Sequence, residues 1–369
     1  MKLLFLCDII YMNDRKVHKT PQENPKMKNQ FVSFGEIMLR LKSPGYDRLF
    51  QSPTLEATFG GGEANVAVTL ANYGLDAKFV TALPDNDVGT ACLREVRKYG
   101  VDVSDIKRTK GRMGIYFLET GACQRPSKVI YDRADSAFAN IKEGDFDWKA
   151  ILADAKWFHV TGITPAVSQD IADEAIRALK VAKELDVTTS IDLNYRAKLW
   201  KYGKCADEVM PELTKYIDVV IANEEDCQKA LGISSSNKPE LGEIDLDCYK
   251  EITEKVFCQY PNVKTVAITL RESKSANRNL WSACINDGKE FYRSRVYDIT
   301  DIVDRVGGGD SFAGGLIYGL ATNPDAKSAL EFAVGASCLK HTINGDLNLV
   351  SVDEVEKLIG GDGTGRIAR

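Results

Sequence analysis

The chain has 369 residues, 44% of them hydrophobic, enough for one large α/β domain or a domain carrying a smaller insertion, which argues against a mostly disordered protein. A net charge of −5 and a pI near 5.5, with Lys and Arg scattered rather than striped, disfavour a nucleic-acid partner and favour a small molecule. Nine cysteines without a Cys-x-x-Cys pair, and three dispersed histidines (His18, His159, His341), argue against a disulfide framework and a zinc site and point to a cytoplasmic protein.

Residues 1–30 read as an irregular polar extension. The apolar start Met1–Leu6 resembles a secretory signal only briefly, because Asp8 interrupts it and no small-x-small cleavage site follows. No stretch approaches the roughly 18 apolar residues of a membrane span, so no membrane partner is expected. Met27 stands four residues before a clean strand, so the functional chain is expected to start there and the upstream segment to be dispensable. Phe31–Leu39 is a mostly apolar run of the kind buried in parallel sheets. Gly60-Gly61-Gly62 then forms a turn leading into a small-residue helix that stops at Gly74. A strand at Lys78–Ala82 and a helix from Val88 to Tyr99 follow. Further strands are expected at Trp157–Val160, Thr188–Asp192, Val219–Ala222 and Val266–Thr269, spaced by amphipathic helices such as Ile171–Leu185. This is the rhythm of βαβ units: an α/β fold with an open, mostly parallel sheet and helices on both faces.

Residues 40–58 and 111–133 break that rhythm. In the second, Met113–Glu119 and Lys128–Arg133 alternate like an antiparallel hairpin, which predicts a small inserted β-sheet lid over the carboxyl ends of the parallel strands. Ser234–Asp247 is expected to be a surface loop, residues 31–357 one domain with a discontinuous lid, and residues 358–369 a flexible tail. An exposed lid edge predicts a homodimer or higher homo-oligomer through the lid.

The densest chemical signal is Gly307-Gly308-Gly309-Asp310, three glycines running into an acid at the start of an apolar helix. Free backbone amides and a helix N-terminus make an anion cradle. Asp310 would be repelled by a phosphate there, so its place makes sense if it faces a hydroxyl that loses a proton while attacking that phosphate. There is no P-loop and no Gly-x-Ser-x-Gly elbow. The first glycine cluster ends in Asn65 where a dinucleotide fingerprint needs glycine, which disfavours a nicotinamide cofactor and suits a polyhydroxylated ligand.

With both glycine clusters in view, residues 31–357 resemble the ribokinase-like (pfkB) family of carbohydrate kinases. The resemblance implies transfer of the ATP γ-phosphate to a sugar hydroxyl, magnesium accompanying ATP, with Asp310 as general base and the amides of Gly307, Gly308 and Gly309 as anion hole. Within the family the chain is most similar to the 2-dehydro-3-deoxygluconokinase subfamily, whose substrate is phosphorylated at C6 and carries a carboxylate. The carry-over gives Arg133 and Arg196 to that carboxylate, Tyr116 and Tyr131 to hydroxyl contacts, and Gly61, Gly62 and Asn65 to the sugar-facing turn. Cross-strand packing remains an alternative for the two tyrosines, and Asp192 could equally orient its loop. Asn223, Asp226, Thr269 and Arg271 match the ATP-binding end, and Asp304 matches an acid that lies near a monovalent cation, such as potassium, in some relatives.

Three departures stand out. Gly308 replaces the usual alanine, which should raise backbone freedom without removing a donor. Asn223-Glu224-Glu225-Asp226 ends in the shorter Asp, so that contact would run through water or a backbone shift. The expected nucleotide loop Leu270–Ala276 lacks glycines. A kinase for a neutral sugar (fructose or ribose) and a non-catalytic sugar-binding regulator are the alternatives.

Overall fold

A computed structural model of the protein describes residues 28–223, 225–236, 244–323 and 325–363. Among the described residues, nine strands form the main sheet. Six neighbours run parallel, in the order Thr265–Ser273, Val219–Ala222, Thr188–Asp192, Ala155–Thr161, Gln30–Phe34 and Asp76–Val80. The far edge is antiparallel: Asn279–Asn286 pairs with Thr265–Ser273 and carries Phe291–Arg293 and Tyr297–Ile299 on its other side.

Alternate residues of the parallel strands feed two cores, as the two-residue period requires. Val32, Phe34, Phe158, Val160, Val220 and Val266 pack on one face with Ile171, Val209 and Val256 of the helices Gln169–Glu184, Ala206–Thr214 and Leu246–Gln259. Phe31, Trp157, Val219, Ile221 and Ala267 pack on the other, against Phe312, Leu316, Leu330 and Val334 of Gly308–Thr322 and Ala326–Lys340. Burial on both faces is why these strands read as unbroken apolar runs.

Four local expectations change. Phe31–Leu39 is two strands, not one: Gln30–Phe34 lies in the main sheet, and Met38–Lys42 begins the lid. The chain breaks at Gly35, where a Cβ would stand 2.1 Å from the Glu63 carboxylate. The lid therefore starts at Met38, not at residue 40. Its sheet order is Glu56–Gly60, Met38–Lys42, Ile115–Glu119, Lys128–Asp132: two antiparallel hairpins joined by one parallel pairing. The glycine-poor segment after Thr269 is not a loop but strand as far as Ser273, with Leu270 buried and Arg271 exposed in register with Ser282 and Trp281. In Ser234–Asp247, the helix Leu246–Gln259 has already begun at the end, and residues 237–243 lie outside the described residues. The helix Val352–Ile359 likewise runs past residue 357. The proposed dispensable N-terminal segment and the last six residues of the tail lie outside the described residues. Among the described residues no helix is long and apolar enough to cross a membrane.

Candidate active site

A cavity of about 370 Å³ opens at the carboxyl ends of the parallel strands, where open α/β sheets bind ligands. The sheet contributes Asp192, Asn194, Asn223 and Thr269, and the lid contributes Met38, Tyr116, Val129, Tyr131 and Arg133. The helices Gly62–Asn72 and Gly308–Thr322 bring the two glycine turns onto the same wall.

The turns are joined by one hydrogen bond. Asn65 Nδ2 donates to Asp310 Oδ2 at 2.7 Å, while Asn65 Oδ1 accepts from the Gly61 amide at 3.3 Å. Gly61 has to be glycine because a Cβ would lie 2.1 Å from the Glu36 carbonyl oxygen. Asp310 is half-buried on the cavity wall. Burial pushes its carboxyl up to about 6; the bond from Asn65 opposes this, and Asp346 adds to it.

Gly307 caps its helix with φ +81°, and a side chain there would meet the Asp346 carbonyl oxygen at 1.9 Å. The Gly308 amide leans on the Arg305 carbonyl at 3.3 Å, whereas helix geometry leaves the amides of Gly309 and Asp310 without intrahelical acceptors. Gly308 does more than loosen the turn. A Cβ at this position would stand 2.8 Å from Cε1 of the buried His341 ring, so the missing methyl makes room for that ring.

Arg133 is held by Glu36. Its Nε donates to Glu36 Oε2 at 2.7 Å and its Nη2 bonds to the same oxygen, while Ser136 Oγ steadies Oε1 at 2.6 Å. Arg133 Nη1 is buried without a partner among the described residues. Arg196 is exposed at the rim, donating to its neighbour's carbonyl, Tyr195 O, at 2.9 Å. Its charge lowers the proton affinity of Asp192, Asp226 and Asp310 against the larger effect of burial.

Tyr116 and Tyr131 both line the cavity and pack ring to ring at 6.2 Å. The Tyr116 hydroxyl donates to Asp346. Tyr131 is 39% exposed.

At the other end, Asp226 accepts from the amides of Asn223 at 2.9 Å and Tyr195 at 3.1 Å, so its shorter side chain ties two strand-end turns together. Asn223 Oδ1 in turn accepts from the amides of Glu225 and Asp226. Asp192 orients its own loop through the Asn194 amide at 3.1 Å. Thr269 donates to the Ala222 carbonyl at 3.3 Å. Arg271 and Arg305 line the wall together: burial first, then the Arg271 charge, lowers the pKa of Arg305. Two positive charges on one wall make this end of the cavity favourable to an anion.

Asp304 stands apart from the main cavity, and its donors do not suit a bound monovalent cation. Its carboxylate accepts from Arg40, from the Val306 amide at 3.0 Å and from the Gly345 amide at 3.1 Å. Its carbonyl oxygen accepts from Lys340 Nζ at 3.2 Å. The other nitrogen of buried Arg40 bonds to Asp346. Glu36, Arg40, Arg305 and Asp346 are the participants the sequence did not expose. Arg305 stood two residues before the glycine run; Asp346 followed an Asn-Gly turn signal, with nothing in the sequence to tie it to the site.

The pfkB family of carbohydrate kinases matches residues 28–350. The chain belongs to that family. This pfkB kinase is 33% identical over 337 residues to the 2-dehydro-3-deoxygalactonokinase of Haloferax volcanii, covering 91% of this chain and 98% of that one. It is 26% identical over 326 residues to the 2-dehydro-3-deoxygluconokinase of Bacillus subtilis, covering 87% and 92%. The crystal structure of the Thermotoga maritima 2-dehydro-3-deoxygluconokinase is 51% identical and superposes with a TM-score of 0.85, covering 90% of this chain and all of that one (100%). The protein is therefore a carbohydrate kinase, and these relatives are sugar kinases rather than regulators.

Proposed function

We propose that this kinase transfers the γ-phosphoryl group of ATP to the C6 hydroxyl of 2-dehydro-3-deoxy-D-gluconate. Kinases of the family use ATP; magnesium enters with the nucleotide as part of that substrate and neutralises phosphate charge. Asp310 takes the hydroxyl proton as the oxygen attacks the γ-phosphorus, and the bond to the bridging oxygen breaks to release ADP. The amides of Gly307 to Gly309, extended by that of Asp310, stabilise the migrating oxygens. Gly61, Gly62, Asn65 and Tyr131 meet the sugar, with Tyr116 acting through Asp346. Arg133 and Arg196 take the carboxylate. Asn223, Thr269, Arg271 and Arg305 flank the nucleotide, with Asp226 fixing their turns.

One observation carries the choice of a sugar acid: Arg133 is fixed by Glu36 with Nη1 buried and unpartnered at the cavity. A neutral sugar that left it unpaired would forfeit on the order of 1–3 kcal/mol. The 51% identity to the Thermotoga enzyme supports the gluconate substrate. The Haloferax relative favours a second reading, the C4 epimer 2-dehydro-3-deoxygalactonate. Steady-state kinetics on both sugar acids, fructose and ribose, with phosphorus NMR of the product, decides. A sugar acid is expected to win by about tenfold or more, with phosphate on C6; a better neutral sugar overturns the reading. Exposed Phe50 and Ile130 on the lid also support a lid-mediated homodimer or higher homo-oligomer, which light scattering would reveal as a multiple of the chain mass.

A further inference from the structure

We infer that the ammonium of Lys340 is a built-in cation of the anion-hole loops, standing where an exchangeable monovalent metal ion would otherwise be needed. Lys340 ends the helix Ala326–Lys340 and is completely buried, at 0% exposure. Its Nζ donates to the carbonyl oxygens of Asp304 and Ile343, both at 3.2 Å. Neutral carbonyl oxygens are the donors a potassium ion would take, and here a lysine takes them.

These two carbonyls belong to the segments that shape the glycine turn. Asp304 lies three residues before Gly307 and binds the amides of Val306 and Gly345. Ile343 lies three residues before Asp346, whose carbonyl sits where a Gly307 side chain would go. One ammonium therefore bridges both sides of the turn that presents the phosphate-binding amides.

Charge balance agrees. Arg40 and Lys340 supply two buried positive charges, and Asp304 and Asp346 supply two negative ones. A further cation would bring an unmatched charge into this dry region. Burial lowers the proton affinity of Lys340, and the carboxylates of Asp304 and Asp346 act against that. Lys340 does not touch the reacting atoms; it is a positioning residue whose charge also reaches Asp310.

The test depends on kinase activity and not on which sugar is the natural substrate, so it uses whichever sugar the kinetic panel selects. Wild-type kcat and melting temperature are measured in potassium, sodium and tetramethylammonium chloride at equal ionic strength. The expectation is kcat within about twofold across the three salts and no potassium-specific thermal shift above about 1 °C. Potassium activation of about tenfold or more overturns the inference. Lys340→Ala is then expected to lose about tenfold or more in kcat, with a smaller change in sugar KM, and to recover in ammonium or potassium but not in tetramethylammonium. Full activity of Lys340→Ala in tetramethylammonium, or a folded variant that no cation restores, overturns it. If Lys340→Ala does not fold, the wild-type salt comparison decides alone.

Discussion

Gly60-Gly61-Gly62-Glu63 and Gly307-Gly308-Gly309-Asp310 have the same local pattern, three glycines and an acid, and both open a helix at the cavity. Their acids end in different environments. Glu63 is 1% exposed, and its Oε1 accepts from the Thr161 amide at 2.9 Å, Thr161 Oγ1 at 2.8 Å and Thr164 Oγ1 at 2.6 Å. Burial lifts its pKa to about 7 despite those donors. Among the described residues Asp310 has one side-chain donor, Asn65, and it remains half-buried. The difference lies in where each helix starts. The amide of Asn65 bonds to the carbonyl of Gly61, and that of Ser311 to the carbonyl of Gly307, so Glu63 is the second helical residue and Asp310 the third. One residue is about 100° of rotation around a helix. That turn separates an acid locked beneath the sheet end from one placed on the cavity wall.

The largest expected effect breaks this comparison most directly. Asp310→Asn should cut kcat by on the order of 10²–10⁴ while nucleotide and sugar acid still bind. Its melting temperature should hold or rise, because a desolvated carboxylate has been removed. Glu63→Gln should leave kcat within the same order of magnitude and act instead on stability. Equal kinetic losses from the two variants would mean that helix phase does not separate their roles.

Changing pH probes the same pair without mutation. Asp310 works ionised, and its pKa is raised from 3.8 to about 6, so kcat/KM should fall about tenfold per pH unit below 6. Stability has the opposite sign. The folded state holds protons on Asp310 and Glu63 that the unfolded state has released, so their contribution is present below pH 3.8 and 4.5 and declines as pH rises to about 6 and 7. A kinetic inflection near 4 would show that Asp310 is not the titrating base.

How far the site could be read from sequence depends on whether a residue's partner is local. Both glycine turns were legible, since backbone conformation and helix start are written in adjacent residues. The parallel strands were legible because burial on both faces makes them apolar runs. The division of Phe31–Leu39 was not, because the chain changes pairing partners from the main sheet to the lid, a tertiary choice that one apolar run does not record. Arg133 was visible as a cation for a carboxylate, but its anchoring by Glu36, 97 residues away, was not. The commitment of Tyr116 to Asp346, 230 residues away, was equally hidden. Asp304 was legible as an acid near the glycine run, but no local pattern announces that Arg40 bonds to its carboxylate and Lys340 to its carbonyl.

The arginine wall offers a smaller, sharper test. Arg133→Ala should raise KM for the sugar acid by about tenfold or more, with less change in kcat, because it removes ground-state and transition-state binding together. Glu36→Gln should raise KM less, since it loosens the guanidinium without deleting it. Loss of kcat alone in Arg133→Ala would place this arginine on the migrating phosphate and return the carboxylate to Arg196.

The smallest effect should come from Gly308→Ala. Both glycine turns tolerate no side chain at their capping residue, Gly61 or Gly307, where backbone oxygens stand 2.1 and 1.9 Å from the absent Cβ. Gly308 differs because the obstacle is a side chain, the His341 ring, with Cε1 at 2.8 Å and Nε2 at 3.2 Å. That ring is held by Nδ1 against Ser337 O at 2.7 Å, and Ser337 Oγ donates to Gly308 O at 2.7 Å, so a shift of His341 pulls on the turn itself. Gly308→Ala should therefore lower kcat by only about threefold to tenfold. His341→Ala in the same chain should recover most of that loss, a coupling that a double-mutant cycle reads directly. If the two losses simply add, His341 is not what requires glycine at position 308, and the turn is limited by its backbone, as at Gly61 and Gly307.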